Sequence, residues 1–225
     1  QATSFQFYSD CNRVENTVQQ GIRNSASDLP LGVAAGLVRL NSAVNWYDGP
    51  ASSITNGTVD LYTAVLHEAL HLLGVASLIG DTQSPTPHYT EYDRYLAHKT
   101  GTTYNPLIVN VPDSDCCSVM ADNPVIDPNL LLGCEGDIFF TNMAGSPTDE
   151  IVEVGYLDEN DLPASLDNIP NKLSHFDIRC SGGSQEYVMH PGVGVFPDPY
   201  STPRRVITSA ELEVLCRIGY PGAGT

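Results

Sequence analysis

The clearest hydrophobic pattern in the chain lies between residues 60 and 74. Leucine, alanine and valine occupy most positions of LYTAVLHEALHLLG, and neither proline nor glycine interrupts it before Gly74. This pattern predicts a helix with Asp60 as its N-cap and an end near Gly74. Because apolar residues occur on nearly every side of that helix, we expect it to lie in the interior.

Weaker patterns predict further elements on both sides of this helix. Between residues 12 and 27, valine, isoleucine and alanine recur at steps of four, which predicts an amphipathic helix. Residues 33 to 40, VAAGLVRL, form a short apolar run typical of a strand. Near the carboxyl end, Thr208 and Glu211 have the spacing of a capping box and predict a last helix that stops near Gly219.

The long stretch from residue 80 to residue 174 has no sustained periodicity. Proline, glycine, aspartate, asparagine and serine dominate it, and its apolar runs, such as PLIVNVP and DIFF, are short. We interpret it as an irregular, loop-rich insert. The whole pattern predicts a mixed α/β (α+β) fold in a single domain, residues 1–225.

Composition narrows the choice of partners. Asp and Glu number 27 against 10 Lys and Arg, and the formal net charge is −17. Such a balance argues against nucleic acid and against anionic membrane surfaces as partners. The chain also has no run of eighteen apolar residues, so we expect no membrane insertion.

The cysteines point to an oxidising compartment. There are six of them, and no Cys-x-x-Cys pair indicates a cysteine metal site or a redox motif. Three disulfides in a secreted, extracellular protein are the interpretation we favour, and the chain, which starts at Gln1, is typical of a processed, soluble protein. We expect it to be a monomer. Carboxylates cluster around Asp113 and around Glu135, which makes Ca²⁺ a second candidate ion although no EF-hand spacing is present.

Candidate chemistry appears inside the central helix. His67 and His71 are four positions apart, so both imidazoles project from one helical face and can bind one metal ion. Glu68 follows the first of them and can reach a metal-bound water without binding the metal itself. This His-Glu-x-x-His pattern predicts a zinc hydrolase, with Glu68 as the general base. The alternative interpretation, which involves no metal, is that the two histidines simply pack in a core helix.

The residue types leave the third ligand open. Three residues after Gly74 stands Ser77, and serine is not a strong zinc ligand. Glu91 lies about twenty residues after His71, a spacing that resembles thermolysin-like (gluzincin) peptidases. His175, in KLSHFD, is the other candidate.

Taken in order, these motifs resemble a metzincin metallopeptidase of the leishmanolysin-like branch. His67, Glu68, His71 and Gly74 are followed by a long insert, then by His175, and then by Tyr187-Val188-Met189-His190-Pro191, which resembles a methionine turn. The resemblance implies that His67, His71 and His175 are the zinc ligands. It also implies that Glu68 is the base and that Met189 forms an apolar floor beneath the metal.

The same resemblance implies a fold and an activity. Residues 1–74 would form an upper subdomain with a small twisted sheet and the active-site helix, and residues 75–225 a loop-rich lower subdomain with the C-terminal helix. An extended peptide would bind along an exposed strand of the upper sheet. The implied function is a secreted zinc endopeptidase acting on protein or peptide substrates.

Three residues near the third histidine are candidates for supporting roles. Asp177 is expected to orient a ligand histidine, and His190 to support the ligands or line the cleft. Tyr187 is expected either to pack or to donate a hydrogen bond to the transition state. Two alternatives to the metzincin reading are a gluzincin peptidase that uses Glu91 and a non-catalytic binding module that keeps zinc as a structural staple.

Overall fold

The computed structural model describes residues 5–7, 13–16, 18, 36–79, 89–108, 138–143, 148–154, 173–176, 187–191, 194–197 and 201–220. Within them the protein combines small β-sheets with two α-helices, α1 (Leu61–Leu72) and α2 (Ser209–Arg217). The coarse prediction of a mixed α+β fold is therefore confirmed. None of the helices described is long and apolar enough to cross a bilayer.

Helix α1 begins and ends where its sequence predicts. The carboxylate of Asp60 accepts a hydrogen bond from the Thr63 N–H at 3.0 Å, which satisfies a free donor at the helix start. At the other end Gly74 adopts a φ of 102°, a left-handed conformation that glycine takes without strain. The Val75 N–H then donates to the Leu70 carbonyl at 3.1 Å and closes the helix.

The prediction that α1 is buried on all sides is wrong. Its inward face consists of Thr63, Ala64, His67 and Leu70. On the opposite face, the exposed fractions of Tyr62 and Val65 are 51% and 39%. An apolar composition alone does not say how many sides of a helix have neighbours.

Two small sheets are built mainly from residues before the insert, and one of them takes its third strand from the start of the insert. Strands β1 (Phe5–Phe7) and β2 (Arg13–Asn16) are antiparallel, and β2 pairs in parallel with β5 (Tyr89–Thr90). Strands β3 (Trp46–Tyr47) and β4 (Val59–Asp60) form a parallel pair just before α1.

The elements predicted before α1 need correction. The helix predicted over residues 12 to 27 is wrong at 13–16, where pairing with two other strands outweighs the weak helical pattern. Val18 is helical, and the other residues of that helix lie outside the described ranges. In the predicted strand 33 to 40, the described part, 36–40, has no regular structure.

The insert is more regular than its composition predicts. It contains an antiparallel sheet in the order β7-β6-β8-β9, built from β6 (Leu96–Thr100), β7 (Thr103–Pro106), β8 (Ile138–Thr141) and β9 (Glu150–Glu153). The prediction of an irregular insert over residues 80 to 174 is thus wrong for these four strands. They are too short for an apolar alternation to stand out among turn-forming residues.

The core lies between this sheet and the segments that follow it. The rings of Tyr92 and Tyr95 lie 5.1 and 5.2 Å from the ring of Phe140 on β8. Helix α2 buries Val214 and Leu215 in the same cluster, which also contains Met189 and Phe176. The predicted capping box of α2 is confirmed, because Thr208 and Glu211 exchange both hydrogen bonds.

Most of the cysteine and calcium predictions fall outside the described residues. Cys216 on α2 is half-buried and free, and the other five cysteines are not among the residues described. The same holds for Asp113 and Glu135 and for their neighbours Asp115 and Asp137, which complete the two carboxylate clusters where calcium is expected.

Candidate metal centre

Three histidines from distant parts of the chain come together beside α1. His67 and His71 lie one turn apart on the helix, and the short segment 173–176 brings His175 against them. Their Nε2 atoms are separated by 3.1 Å for His67 and His71 and by 3.3 Å for His67 and His175. Among the described residues, these three form the one cluster with the geometry to hold a metal ion.

Backbone carbonyls fix which nitrogen of each helical histidine faces the centre. The Nδ1–H of His67 donates to the Val188 carbonyl at 2.9 Å, and the Nδ1–H of His71 donates to the Val75 carbonyl at 2.7 Å. A carbonyl can only accept, so Nδ1 carries the proton in both rings. Each neutral ring therefore presents an unprotonated Nε2, the form that binds metals.

The spacing of these nitrogens fits a metal ion. Two unprotonated nitrogens cannot hydrogen-bond to each other, whereas a cation bound by both would favour their close approach. Ligand nitrogens about 2.0–2.1 Å from a tetrahedral zinc ion lie roughly 3.3 Å apart. The observed separations of 3.1 and 3.3 Å match that value. Imidazole binds several divalent ions, zinc among them.

Burial keeps the helical histidines neutral. Burial first, and the neighbouring His71 after it, lowers the pKa of His67 from 6.5 to about 3. Burial also lowers the pKa of His71, although the Val75 carbonyl and the charge of Glu68 oppose this shift. Because neither ring holds a second proton near neutral pH, a metal ion need not displace one.

The turn predicted around Met189 supports the centre through its backbone. The Val188 carbonyl receives the His67 hydrogen bond, and the Met189 carbonyl accepts from the Phe176 N–H at 3.0 Å, one residue after His175. Met189 itself is fully buried. Its N–H donates to the Glu211 carboxylate at 2.8 Å, so α2 holds the turn in place.

A scan against protein-family models finds no match to this chain, and searches of curated proteins and of solved structures find none either. The metzincin resemblance therefore depends on the sequence motifs alone.

Other residues predicted for the site have different positions. Glu68 is half-buried and follows His67 on α1. Glu91 does not join the three histidines, and its carboxylate forms a salt bridge with Arg94 at 2.9 Å. The structure thus brings His175, and not Glu91, to the helical pair.

The residues expected to support the ligands are placed in part. The ring of Tyr187 packs edge-to-face on Phe176 at 5.5 Å, which agrees with a packing role. His190 is buried and close enough to His67 for its charge to lower the pKa of His67. Asp177 lies outside the described residues.

Sequence reasoning missed several groups that hold the centre. The carbonyls of Val75 and Val188 carry no side-chain signal, so no motif could reveal them. Glu211 was predicted to cap α2, but nothing in its spacing indicated that its carboxylate also binds the Met189 N–H.

Proposed function

We propose that this protein is a secreted zinc-dependent endopeptidase with a leishmanolysin-like metzincin site, which cleaves protein or peptide substrates. The observation that carries the proposal is the convergence of three Nε2 atoms on one point, with Glu68 directly after the first ligand. His67, His71 and His175 are the proposed ligands. Three protein ligands leave a fourth position open, which is typical of catalytic and not of structural zinc sites.

Each residue of the site has a task in this proposal. The three imidazoles hold the ion, which when bound supplies the Lewis acidity that peptide hydrolysis requires. Glu68 accepts a proton from water and delivers it to the leaving amine, as a general base and then a general acid. Met189 is the proposed apolar floor beneath the histidines, and its neighbour Val188 keeps His67 in the correct tautomer.

Metal content tests the ligand set. We expect wild-type protein to hold about one zinc ion per chain and His175→Ala to lose it, because two imidazoles alone bind zinc weakly. His98→Ala is the matched control, since His98 lies on β6 and outside the cluster. Zinc retained in His175→Ala would contradict this set, and the Glu91→Ala variant would then be measured in the same way.

Peptidase activity tests the role of Glu68. The Glu68→Gln variant keeps the size of the side chain but removes the base, so we expect full zinc content and a loss of kcat of at least about a hundredfold. Activity would be measured on a mixed peptide library by mass spectrometry. A wild-type protein that binds zinc but cleaves no peptide would favour the alternative, a non-catalytic module stapled by zinc.

A further inference from the structure

The segment that carries His175 is hydrogen-bonded to the chain just after α1, at Ser77. Ser77 stands three residues after Gly74, where metzincins without a long insert have their third histidine. Here the backbone of Ser77 contacts the segment that carries His175. Its N–H donates to the Ser174 hydroxyl at 2.8 Å, across a sequence separation of 97 residues. Ser77 and Ser174 are both buried, so water does not compete for this bond. Ser174 directly precedes His175.

A second hydrogen bond holds the residue before Ser174. The Tyr92 hydroxyl donates to the Leu173 carbonyl at 3.0 Å, and Tyr92 and Leu173 are both fully buried. On the other side of His175, the Phe176 N–H is bound by the Met189 carbonyl. Hydrogen bonds therefore hold the chain on both sides of His175, at Leu173 and Ser174 before it and at Phe176 after it.

Tyr92 and Ser77, which bind Leu173 and Ser174, belong to two segments that are hydrogen-bonded to each other. The Asp93 carboxylate, next to Tyr92, accepts from the Leu78 N–H at 3.0 Å and from the Thr90 N–H at 2.8 Å. The Thr90 hydroxyl also donates to the Ala76 carbonyl at 2.7 Å. The end of α1 and the turn that contains Tyr92 therefore form one connected support.

We propose that Tyr92 and Ser174 are positioning residues that fix the backbone of His175, so that a ligand from beyond the insert meets the helical pair in a metal-ready geometry. We call these two hydrogen bonds the His175 clamp. The inference rests on the metal site of the proposed function and not on its peptidase chemistry. A ligand that is held in place before binding loses less freedom when the metal arrives, so the clamp raises metal affinity.

Zinc affinity of the full chain tests the clamp, measured by competition with a chromophoric chelator. Tyr92→Phe removes the hydroxyl that donates to Leu173 and keeps the buried ring, and Ser174→Ala removes the hydroxyl that accepts from the Ser77 N–H. We expect the dissociation constant for zinc to rise about tenfold in the double variant, the lower end of what groups supporting a ligand contribute.

Tyr95→Phe is the matched control. Its hydroxyl also donates to a backbone carbonyl, that of Arg217 at 2.8 Å, and it belongs to the same 3-10 turn, Tyr92–Tyr95. Its loss removes a bond of the same chemistry, although a more exposed one, without touching the segment of His175, so we expect unchanged zinc affinity. Ser174→Thr keeps the hydroxyl and should restore affinity toward the wild-type value.

Activity at two zinc concentrations separates positioning from general damage. With the clamp weakened, kcat/KM should fall at limiting zinc and recover at saturating zinc, whereas a misfolded variant would not recover. Wild-type zinc affinity in the folded double variant would overturn the clamp while leaving the peptidase proposal intact. Tight zinc binding that weakens in the double variant, without any peptidase activity in the wild type, would support the clamp and contradict the peptidase proposal. If the double variant does not fold, Tyr92→Phe alone decides by the same affinity measurement.

Discussion

At the level of single residues, the chemistry of the site depends on atoms that the sequence does not distinguish. The motif identifies His67 and His71 as candidate ligands, but the carbonyls of Val188 and Val75 determine that Nε2 faces the centre. A side chain thus supplies the ligand and the folded backbone selects its tautomer. Met189 raises a related question, because a thioether in the position proposed for it, beneath the metal, can either pack or bind.

Substitution of Met189 distinguishes packing from metal binding. It is fully buried in the core cluster. If it only packs, Met189→Leu keeps its volume, so we expect full metal content and a loss of unfolding free energy below about 1.5 kcal/mol. Met189→Ala should cost about 2–5 kcal/mol through the cavity it leaves. Elemental analysis and chemical denaturation measure the two effects. A folded Met189→Leu protein without metal would show that the sulfur is a ligand.

At the level of elements, the start of α1 combines a cap with a partly buried ion pair. The Asp60 carboxylate accepts from the Thr63 N–H, and Arg205 donates to the same carboxylate through Nε at 3.1 Å. Burial raises the pKa of Asp60, but hydrogen bonds from Arg205 and Thr63 outweigh it and leave that pKa below its ordinary value. The stabilisation is therefore present above the unfolded-state pKa of Asp60 and is lost as the pH falls below it.

Replacing Asp60 should cost more than replacing an ordinary cap. We expect Asp60→Ala to lower the unfolding free energy by about 2–4 kcal/mol, because both the cap and the partner of Arg205 are lost. Thr208→Ala at the start of α2 is the control, with an expected loss of about 1 kcal/mol. Urea denaturation at neutral pH measures both. Equal losses in the two variants would mean that the Arg205 pair adds nothing to the cap.

How far the sequence predicts an element depends on where its stabilising bonds lie. Both helices were predicted with their ends, because Asp60, Gly74, Thr208 and Glu211 act on residues within a few positions of themselves. The sheets were not, because β2 pairs with β5 and β6 with β8 across long stretches of chain. No local pattern encodes a partner that lies so far away.

At the level of the whole molecule, the same limit applies to the site. Two of the three histidines follow from the spacing within one helix, whereas the position of His175 depends on Ser77, Tyr92 and the turn at Met189. Spacing alone left Glu91 open, and the resemblance to a family with a long insert favoured His175. The supports of this segment meet at Asp93, which is fully buried.

Asp93 makes the stability of the protein depend on pH. Burial raises its pKa from 3.8 to about 6, although hydrogen bonds from Ser77, Thr90 and Leu78 oppose the shift. A folded-state pKa above the unfolded one means that the contribution of Asp93 is fully present below pH 3.8 and is lost as the pH rises through 6. A shift of this size corresponds to about 3 kcal/mol.

The Asp93→Asn variant isolates this contribution, because an asparagine still accepts hydrogen bonds but does not ionise. We expect the unfolding free energy of the wild type to fall relative to the variant by up to about 3 kcal/mol between pH 4 and pH 7. Every other titrating group is shared by the two proteins and cancels in the difference. Urea denaturation of the metal-free proteins at several pH values measures it. A constant difference would mean that Asp93 ionises in the folded protein as readily as in the unfolded chain, and that the support of His175 carries no buried-charge penalty at neutral pH.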